Sequence, residues 1–133
     1  MKFRNDREVV ATFIEETTER AREIENGLLG IEKNGYEYQD AQVHELFRSA
    51  HSIKAGANLL DLKKVEGLAH RMEHVLTAMR KREIVTDENV VTTLLETIDA
   101  IRTLVDDMEN EAGYDTSVQN QKLKAILPQG HTN

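Results

Sequence analysis

Residues 43–60, VHELFRSAHSIKAGANLL, repeat apolar side chains at intervals of three and four residues. This spacing puts the apolar side chains on one face of an α-helix, with His51 near its edge. Asp40 is a suitable residue to cap the helix start, and the polar residues between Asn58 and Asp61 mark its end. The apolar row consists of Val43, Leu46, Phe47, Ala50, Ile53, Ala57 and Leu60.

Similar rows precede and follow this helix. The preceding row, which ends at Asn34-Gly35, is Val10, Ile14, Thr17, Ala21, Ile24, Leu28 and Ile31. The next row, which ends in the basic run Arg80-Lys81-Arg82, is Val65, Leu68, Ala69, Met72, Val75, Leu76 and Met79. A fourth row is Val91, Leu94, Leu95, Ile98, Ile101, Val105 and Met108. We expect a Thr86 hydroxyl cap to open this last helix and Gly113 to close it.

Four amphipathic helices with short connectors predict an all-α fold, an antiparallel four-helix bundle. The row Val118, Leu123, Ile126 and Leu127 predicts a short fifth helix at the C-terminal end that docks weakly. We expect residues 1–127 to form a single domain, because 133 residues suffice for one core. Residues 128–133 form a polar tail or the start of a linker.

Composition excludes several classes of function. The formal net charge of −7 argues against nucleic-acid binding, which requires a basic surface, and favours protein partners. There are no cysteines, and no stretch approaches the roughly 20 apolar residues of a membrane span. We therefore expect a cytoplasmic protein that does not bind membranes.

His51 has unusual neighbours on its helix. Arg48 and Lys54 lie three residues to either side, and Ala55, Gly56 and Ala57 leave the following turn almost bare. A glycine inside a helix costs about 1 kcal/mol relative to alanine, which suggests that another group approaches closely. These features alone favour an ordinary boundary histidine beside residues that let two helices pack.

A family resemblance distinguishes between these interpretations. Residues 47–57, FRSAHSIKAGA, closely resemble the phosphorylation-site segment of the amino-terminal histidine-phosphotransfer domain of CheA-type chemotaxis kinases. Residues 68–73, LAHRME, look like that family's second signature, and residues 80–83 resemble the turn that follows it. Together with the helix rows, the resemblance covers residues 8 to 110. The chain departs from the family at Ala55 and Asp61, where glycine is common.

The resemblance implies a helical phosphotransfer domain that accepts a phosphoryl group on His51 and passes it to an aspartate of a response regulator. It places Lys54, His70 and Glu73 in a hydrogen-bonded network around that histidine. Chemistry supports Glu73, because a carboxylate that accepts the proton of one imidazole nitrogen leaves the other nitrogen nucleophilic. Lys54, aided by Arg48, would meet the phosphoryl oxygens.

Partners and cofactors follow from the same resemblance. Receiver domains should dock around Arg48, Ser52, Ala55 and Gly56. The sequence contains no nucleotide-binding loop, so we expect no bound cofactor, and a histidine kinase catalytic domain would supply ATP and Mg²⁺ in cis or in trans. The pattern is compatible with a free-standing carrier and with the phosphoacceptor part of a longer kinase.

Three other classes of protein are alternatives for this sequence. Residues 70–74, HRMEH, match the H-x-x-E-H motif of zinc proteases, but such an enzyme needs a cleft and a third ligand, so we expect no metal site. A di-iron bundle needs a glutamate three residues before a histidine, and no histidine here has one. The main alternative is a helical adaptor that binds signalling partners without carrying phosphate.

Overall fold

The computed structural model describes residues 5–128 and confirms the all-α prediction for them. In this range five α-helices and one short 3₁₀ helix are present, and there are no strands. The helices are α1 (Arg7–Lys33), α2 (Asp40–Leu59), α3 (Lys63–Arg80), α4 (Glu88–Asp106) and α5 (Ser117–Ile126), and the 3₁₀ helix (Met108–Gly113) lies between the last two. Within residues 5–128, every helix lacks the combination of length and hydrophobicity that a membrane span requires. The predicted tail at 128–133 falls outside this range except for its first residue.

The apolar rows of α1 to α4 form one shared core, as the spacing predicted. Its largest fully buried side chains include Ile24, Leu28, Ile53, Leu68, Met72, Met79, Leu94 and Ile98. The prediction was wrong at the start of α1, where Phe13 is buried and Ile14 is 40% exposed. A step of either three or four residues back from Thr17 continues the row, and here the aromatic ring occupies the buried position.

The helix boundaries also differ in part from the expected ones. Asn34 ends α1 and Gly35 has a φ of +67°, as expected for a left-handed turn. Gln39, and not Asp40, caps α2, whereas the Asp87 carboxylate caps α4 by accepting a hydrogen bond from the Val90 amide at 3.1 Å.

The expected Thr86 cap is absent because its hydroxyl lies 2.9 Å from the Tyr38 hydroxyl instead. At its other end α4 stops at Asp106, well before Gly113, and Met108 belongs to the 3₁₀ helix. The fourth helix is therefore shorter than its apolar row suggested.

The start of α3 is capped from a distant part of the chain. Leu62, the residue at the cap position, supplies no side-chain hydrogen bond. The buried carboxylate of Glu111 accepts hydrogen bonds from the Lys64 amide at 2.6 Å and the Val65 amide at 2.9 Å. Lys64 also donates from its ammonium group to the Tyr114 carbonyl at 2.7 Å. The 3₁₀ helix is thereby tied to the first turn of α3.

The fifth helix is present, as predicted, but it docks firmly. Leu123 is fully buried in the common core. The Gln119 side chain donates hydrogen bonds to the Thr93 carbonyl at 3.1 Å and the Thr97 hydroxyl at 2.8 Å. Apolar burial and polar contacts together hold α5 against α3 and α4.

Candidate functional site

The site lies where α2 and α3 run antiparallel. The side chain of His51, on α2, is 59% exposed, which confirms its predicted position at the edge of the packed face. Its Nδ1 lies 2.7 Å from Oε2 of Glu73, which is buried on α3. Further along the contact between α2 and α3, which we call the α2–α3 seam, the Asn58 side chain donates a hydrogen bond to the Glu66 carboxylate at 2.9 Å. These cross-helix pairs fix a register in which the carboxylate faces the imidazole.

Lys54 occupies the other oxygen of the same carboxylate. Its ammonium lies 2.7 Å from Oε1 of Glu73, and its side chain is 25% exposed. A buried carboxylate is costly without a counter-charge and hydrogen bonds, and Lys54 supplies both. In this arrangement Lys54 holds Glu73 in place and does not reach toward solvent beside the imidazole.

Glu73, held in place by Lys54, determines the chemistry of His51. An ionised carboxylate can only accept hydrogen bonds, so the proton of the neutral imidazole resides on Nδ1. The lone pair is then on Nε2, the nitrogen that does not contact Glu73. Since most of the side chain is exposed, this nitrogen is available as a nucleophile.

One aromatic ring stacks beside the imidazole on α2. The Phe47 ring lies 6.2 Å from the His51 ring with an interplanar angle of 12°, and His44 stacks on the other side of Phe47. A shallow cleft of about 270 Å³ is lined by Phe47, Arg48, His51 and Ser52. The apolar row predicted Phe47 only as a core residue, although its position four residues before His51 was a sufficient signal for this contact.

The residues expected to meet partners are mostly accessible. Arg48, Ser52 and Ala55 are exposed on α2, and Gly56 is half-buried. The Arg48 guanidinium pairs with Glu45 at 3.3 Å, an exposed contact within one helix. Their role in partner binding stays a prediction.

Gly56 makes room for α1. A Cβ atom at this position would lie 2.8 Å from Cδ1 of Phe13, closer than side-chain carbons approach. The close neighbour that a helical glycine implied is therefore a core ring of the same chain. For Gly56, the interpretation as a helix-packing residue holds.

His70 lies apart from the other predicted site residues. It is exposed, and its ring contacts His74 one turn later, with ring centroids 4.4 Å apart and an interplanar angle of 57°. Within residues 5–128, no hydrogen bond joins His70 to His51, Lys54 or Glu73. The structure brings together three of the four residues, and a role for His70 in the network stays a prediction.

Most of the chain matches a known protein family. Residues 8–111 match the family model of the Hpt domain. The chain belongs to the Hpt domain family. This membership confirms the resemblance on which the sequence analysis relied.

The curated relatives of this Hpt domain include chemotaxis proteins. It is 28% identical over 127 residues to the chemotaxis protein CheA of Treponema pallidum, covering 94% of this chain. It is 31% identical over 117 residues to CheA of Listeria monocytogenes, covering 86% of this chain. The chain spans only 15% and 19% of the length of these two relatives.

Solved structures share the fold of this Hpt domain. A solution structure of the histidine phosphotransfer domain of CheA superposes with a TM-score of 0.80 at 24% identity, covering 96% of this chain and 98% of that one. The phosphorylated P1 domain of CheA3 from R. sphaeroides, solved in complex with CheY6, gives a TM-score of 0.76 at 24% identity, covering 89% and 94%.

Proposed function

We propose that this Hpt domain carries a phosphoryl group on Nε2 of His51, between a histidine kinase catalytic domain and the aspartate of a receiver domain. The observation that carries the proposal is the 2.7 Å contact between Nδ1 of His51 and the buried Glu73 carboxylate. With the proton on Nδ1, the lone pair is on Nε2 of a mostly exposed side chain, which is what an attacking nitrogen requires.

Phosphorylation begins with attack of the Nε2 lone pair on the γ-phosphorus of ATP bound to the kinase. The new N–P bond forms as the bond to the leaving oxygen of ADP breaks. The ring then carries a positive charge, with its remaining proton on Nδ1. Glu73 stabilises this charge through the existing hydrogen bond, and Lys54 keeps the carboxylate aligned.

Transfer to the receiver reverses this charge change. An aspartate oxygen of the receiver attacks the phosphorus, the N–P bond breaks, and Nε2 regains its lone pair. The exposed face of α2 around His51 admits the partner, with Arg48 and Ser52 beside the nucleophile. No cofactor is needed within this domain, since ATP and Mg²⁺ act in the kinase. A cytoplasmic location would place all three components together.

The proposal is tested by incubating the chain with a CheA-type kinase catalytic domain, labelled ATP and Mg²⁺. We expect a label that is labile in acid and stable in base, and peptide mapping should assign it to His51. The label should move to a CheY-type receiver when one is added. Neither His44, His70, His74 nor His131 should be labelled.

The decisive variant is His51→Gln, which keeps a polar side chain at an exposed helical position. We expect it to retain the helical circular dichroism of the parent and to take up no label. Acid-labile phosphate on a folded His51→Gln protein would overturn the proposal. Binding of both partners without any phosphate transfer would instead favour the helical adaptor.

A further inference from the structure

Phe47 contacts the imidazole of His51 without belonging to its hydrogen-bonded network. It precedes His51 by four residues on α2, so the two side chains lie on the same side of the helix. Their ring centroids are 6.2 Å apart and the ring planes differ by 12°, which is an offset-stacked arrangement. Phe47 also lines the shallow cleft beside the imidazole. The ring is therefore the nearest aromatic neighbour of the proposed nucleophile.

The ring of Phe47 is itself held in place. It is half-buried and packs against the common core of the bundle. One turn earlier on α2, the imidazole of His44 stacks on the same phenyl ring, with centroids 6.2 Å apart and an interplanar angle of 7°. The three rings form a nearly parallel row along α2, and the middle ring is anchored in the core. Phe47 is thus a firm wall for the imidazole beside it.

The hydrogen bond to Glu73 does not by itself fix the orientation of the imidazole. It fixes the position of Nδ1, which is one atom of the ring. A hydrogen bond keeps most of its strength over a spread of about 30° in angle, and the torsion that turns a histidine ring has a broad energy minimum. The ring can therefore tilt about Nδ1 while the bond to Glu73 is kept. Such a tilt moves Nε2, which lies across the ring.

We propose that Phe47 is a positioning residue for phosphotransfer, because its ring limits the tilt of the His51 imidazole and so directs the Nε2 lone pair at the incoming phosphorus. The inference rests on the proposed function, and in this role Phe47 acts only through His51. A misplacement of about 1 Å between reacting atoms can cost about 10²-fold in rate, so a small freedom of tilt is enough to slow the attack. Glu73 then selects the nitrogen that is protonated, and Phe47 sets the direction of the other nitrogen.

Phe47→Leu is the primary variant, because leucine keeps an apolar side chain against the core but has no flat ring. Aromatic pairs of this kind contribute about 2- to 12-fold to an equilibrium, and we expect kcat for labelling by a CheA-type kinase domain to fall by a factor in this range. The KM for the Hpt domain should stay near the parental value, since the lost contact orients the reacting atom and does not bind the kinase. Phe47→Tyr keeps the ring and should be labelled at the parental rate.

Leu95→Ala is the matched control for loss of apolar packing. Leu95 is a half-buried side chain that packs against the core from α4, a helix that contacts α1 and α3. Its truncation should lower the free energy of unfolding, as Phe47→Leu also does, and should leave kcat unchanged. The comparison therefore separates a general loss of stability from a loss of imidazole orientation.

NMR of the unphosphorylated chain measures the orientation directly. In the parent, the ring protons of His51 should show cross-relaxation with those of Phe47, and ¹³C relaxation should report a rigid imidazole. In Phe47→Leu the order parameter of the imidazole should fall. The ¹⁵N shifts should still show the proton on Nδ1, because Glu73 is unchanged. This pattern differs from that expected for a Glu73 variant, in which the tautomer changes.

Several outcomes would overturn the role of Phe47 while the proposed function stands. They are a parental kcat in Phe47→Leu, a raised KM with an unchanged kcat, an imidazole as rigid as in the parent, and an equal loss of kcat in Leu95→Ala or Phe47→Tyr. A raised KM alone would make Phe47 a docking residue. A parent chain that takes up no label would overturn the proposed function and this inference with it, so the two kinds of failure are distinguishable.

Discussion

Nδ1 of His51 and Oε2 of Glu73 lie 2.7 Å apart across the seam between α2 and α3. The His51 side chain is mostly exposed and the Glu73 side chain is buried. The hydrogen bond therefore joins an imidazole at the surface to a carboxylate held inside the bundle. Lys54 binds the second oxygen of that carboxylate. The contact fixes which nitrogen holds the proton, and several consequences can be measured.

Glu73→Gln removes the negative charge but keeps the size of the side chain and one acceptor oxygen. We expect the rate of His51 phosphorylation to fall by about 10²-fold, the scale typical of general-base and orienting groups. His51 should remain the labelled residue. The ¹⁵N chemical shifts of the imidazole should show a larger share of the tautomer protonated on Nε2.

Glu66→Gln is the control for this experiment, because Glu66 also lies between α2 and α3 but its carboxylate accepts a hydrogen bond from Asn58 and not from His51 or Lys54. Its phosphorylation rate should match that of the parent. An unchanged rate and tautomer in Glu73→Gln would reduce Glu73 to a structural residue of α3.

Ala55→Arg places a long side chain on the exposed face of α2, one turn beyond His51. We expect transfer from the phosphorylated domain to a receiver to slow, because close approach of the two proteins is blocked. Circular dichroism should be unchanged. Thr92→Arg on α4, which is also exposed, is the control and should transfer at the parental rate. Equal rates for both variants would place the docking surface elsewhere.

Gly56→Ala should destabilise the fold, because the new Cβ would lie 2.8 Å from the Phe13 ring. Overpacking typically costs about 1–3 kcal/mol, more than the gain in helix propensity. At Gly67 in α3, no atom beyond its own stretch of helix lies within 4 Å of an added Cβ, so Gly67→Ala should gain about 0.5–1 kcal/mol. Urea unfolding measures both values. A Gly56→Ala variant as stable as Gly67→Ala would show that Phe13 moves aside freely.

Glu111→Ala removes the acceptor for two amides at the start of α3. A buried donor left without a partner costs about 1–3 kcal/mol, and we expect a loss of this order in the free energy of unfolding. Glu109→Ala lies in the same 3₁₀ helix but is exposed, so it should change stability by less than about 0.5 kcal/mol. Equal effects in the two variants would contradict the capping role.

Arg20 donates a hydrogen bond to Glu23 at 2.6 Å and, as the largest influence, lowers the pKa of that carboxyl below 4.5. Ser49 on α2 also donates to Glu23, at 3.0 Å. Because the pKa is lowered on folding, this stabilisation is present above the unfolded pKa and is lost as the pH falls through the folded value. Arg20→Gln should raise the NMR titration midpoint of Glu23, and an unmoved midpoint would make Ser49 the main influence.

The apolar rows predicted the fold and much of the site because they report directly on helix faces. His51 follows Ala50 and Glu73 follows Met72, so both flank buried rows, and this was enough to expect their contact across an antiparallel pair. The apolar rows alone did not predict the direction of Lys54. A lysine side chain can extend into solvent or contact a neighbouring helix. Which of these occurs here depends on the position of Glu73 along α3 relative to Lys54.

Contacts between residues far apart in the chain were also missed. Periodicity shows that Glu111 follows a helix, but not that its carboxylate returns to an amide 47 residues earlier. The small residues around Gly56 predicted a close neighbour but did not identify it, because Phe13 lies on another helix. In both cases the sequence indicates one of the two contacting residues, and the structure identifies the other.

Because Glu111 caps α3, the first turn of that helix depends on a segment that comes later in the chain. The first turn of α3 cannot complete its hydrogen bonding until the chain beyond α4 has folded back. The amides of Lys64 and Val65 should therefore exchange with deuterium together with the 3₁₀ helix and not with the middle of α3. A substitution in the segment that follows α4 should therefore destabilise the start of α3, the helix that carries Glu73. The two segments should unfold together as parts of one cooperative unit.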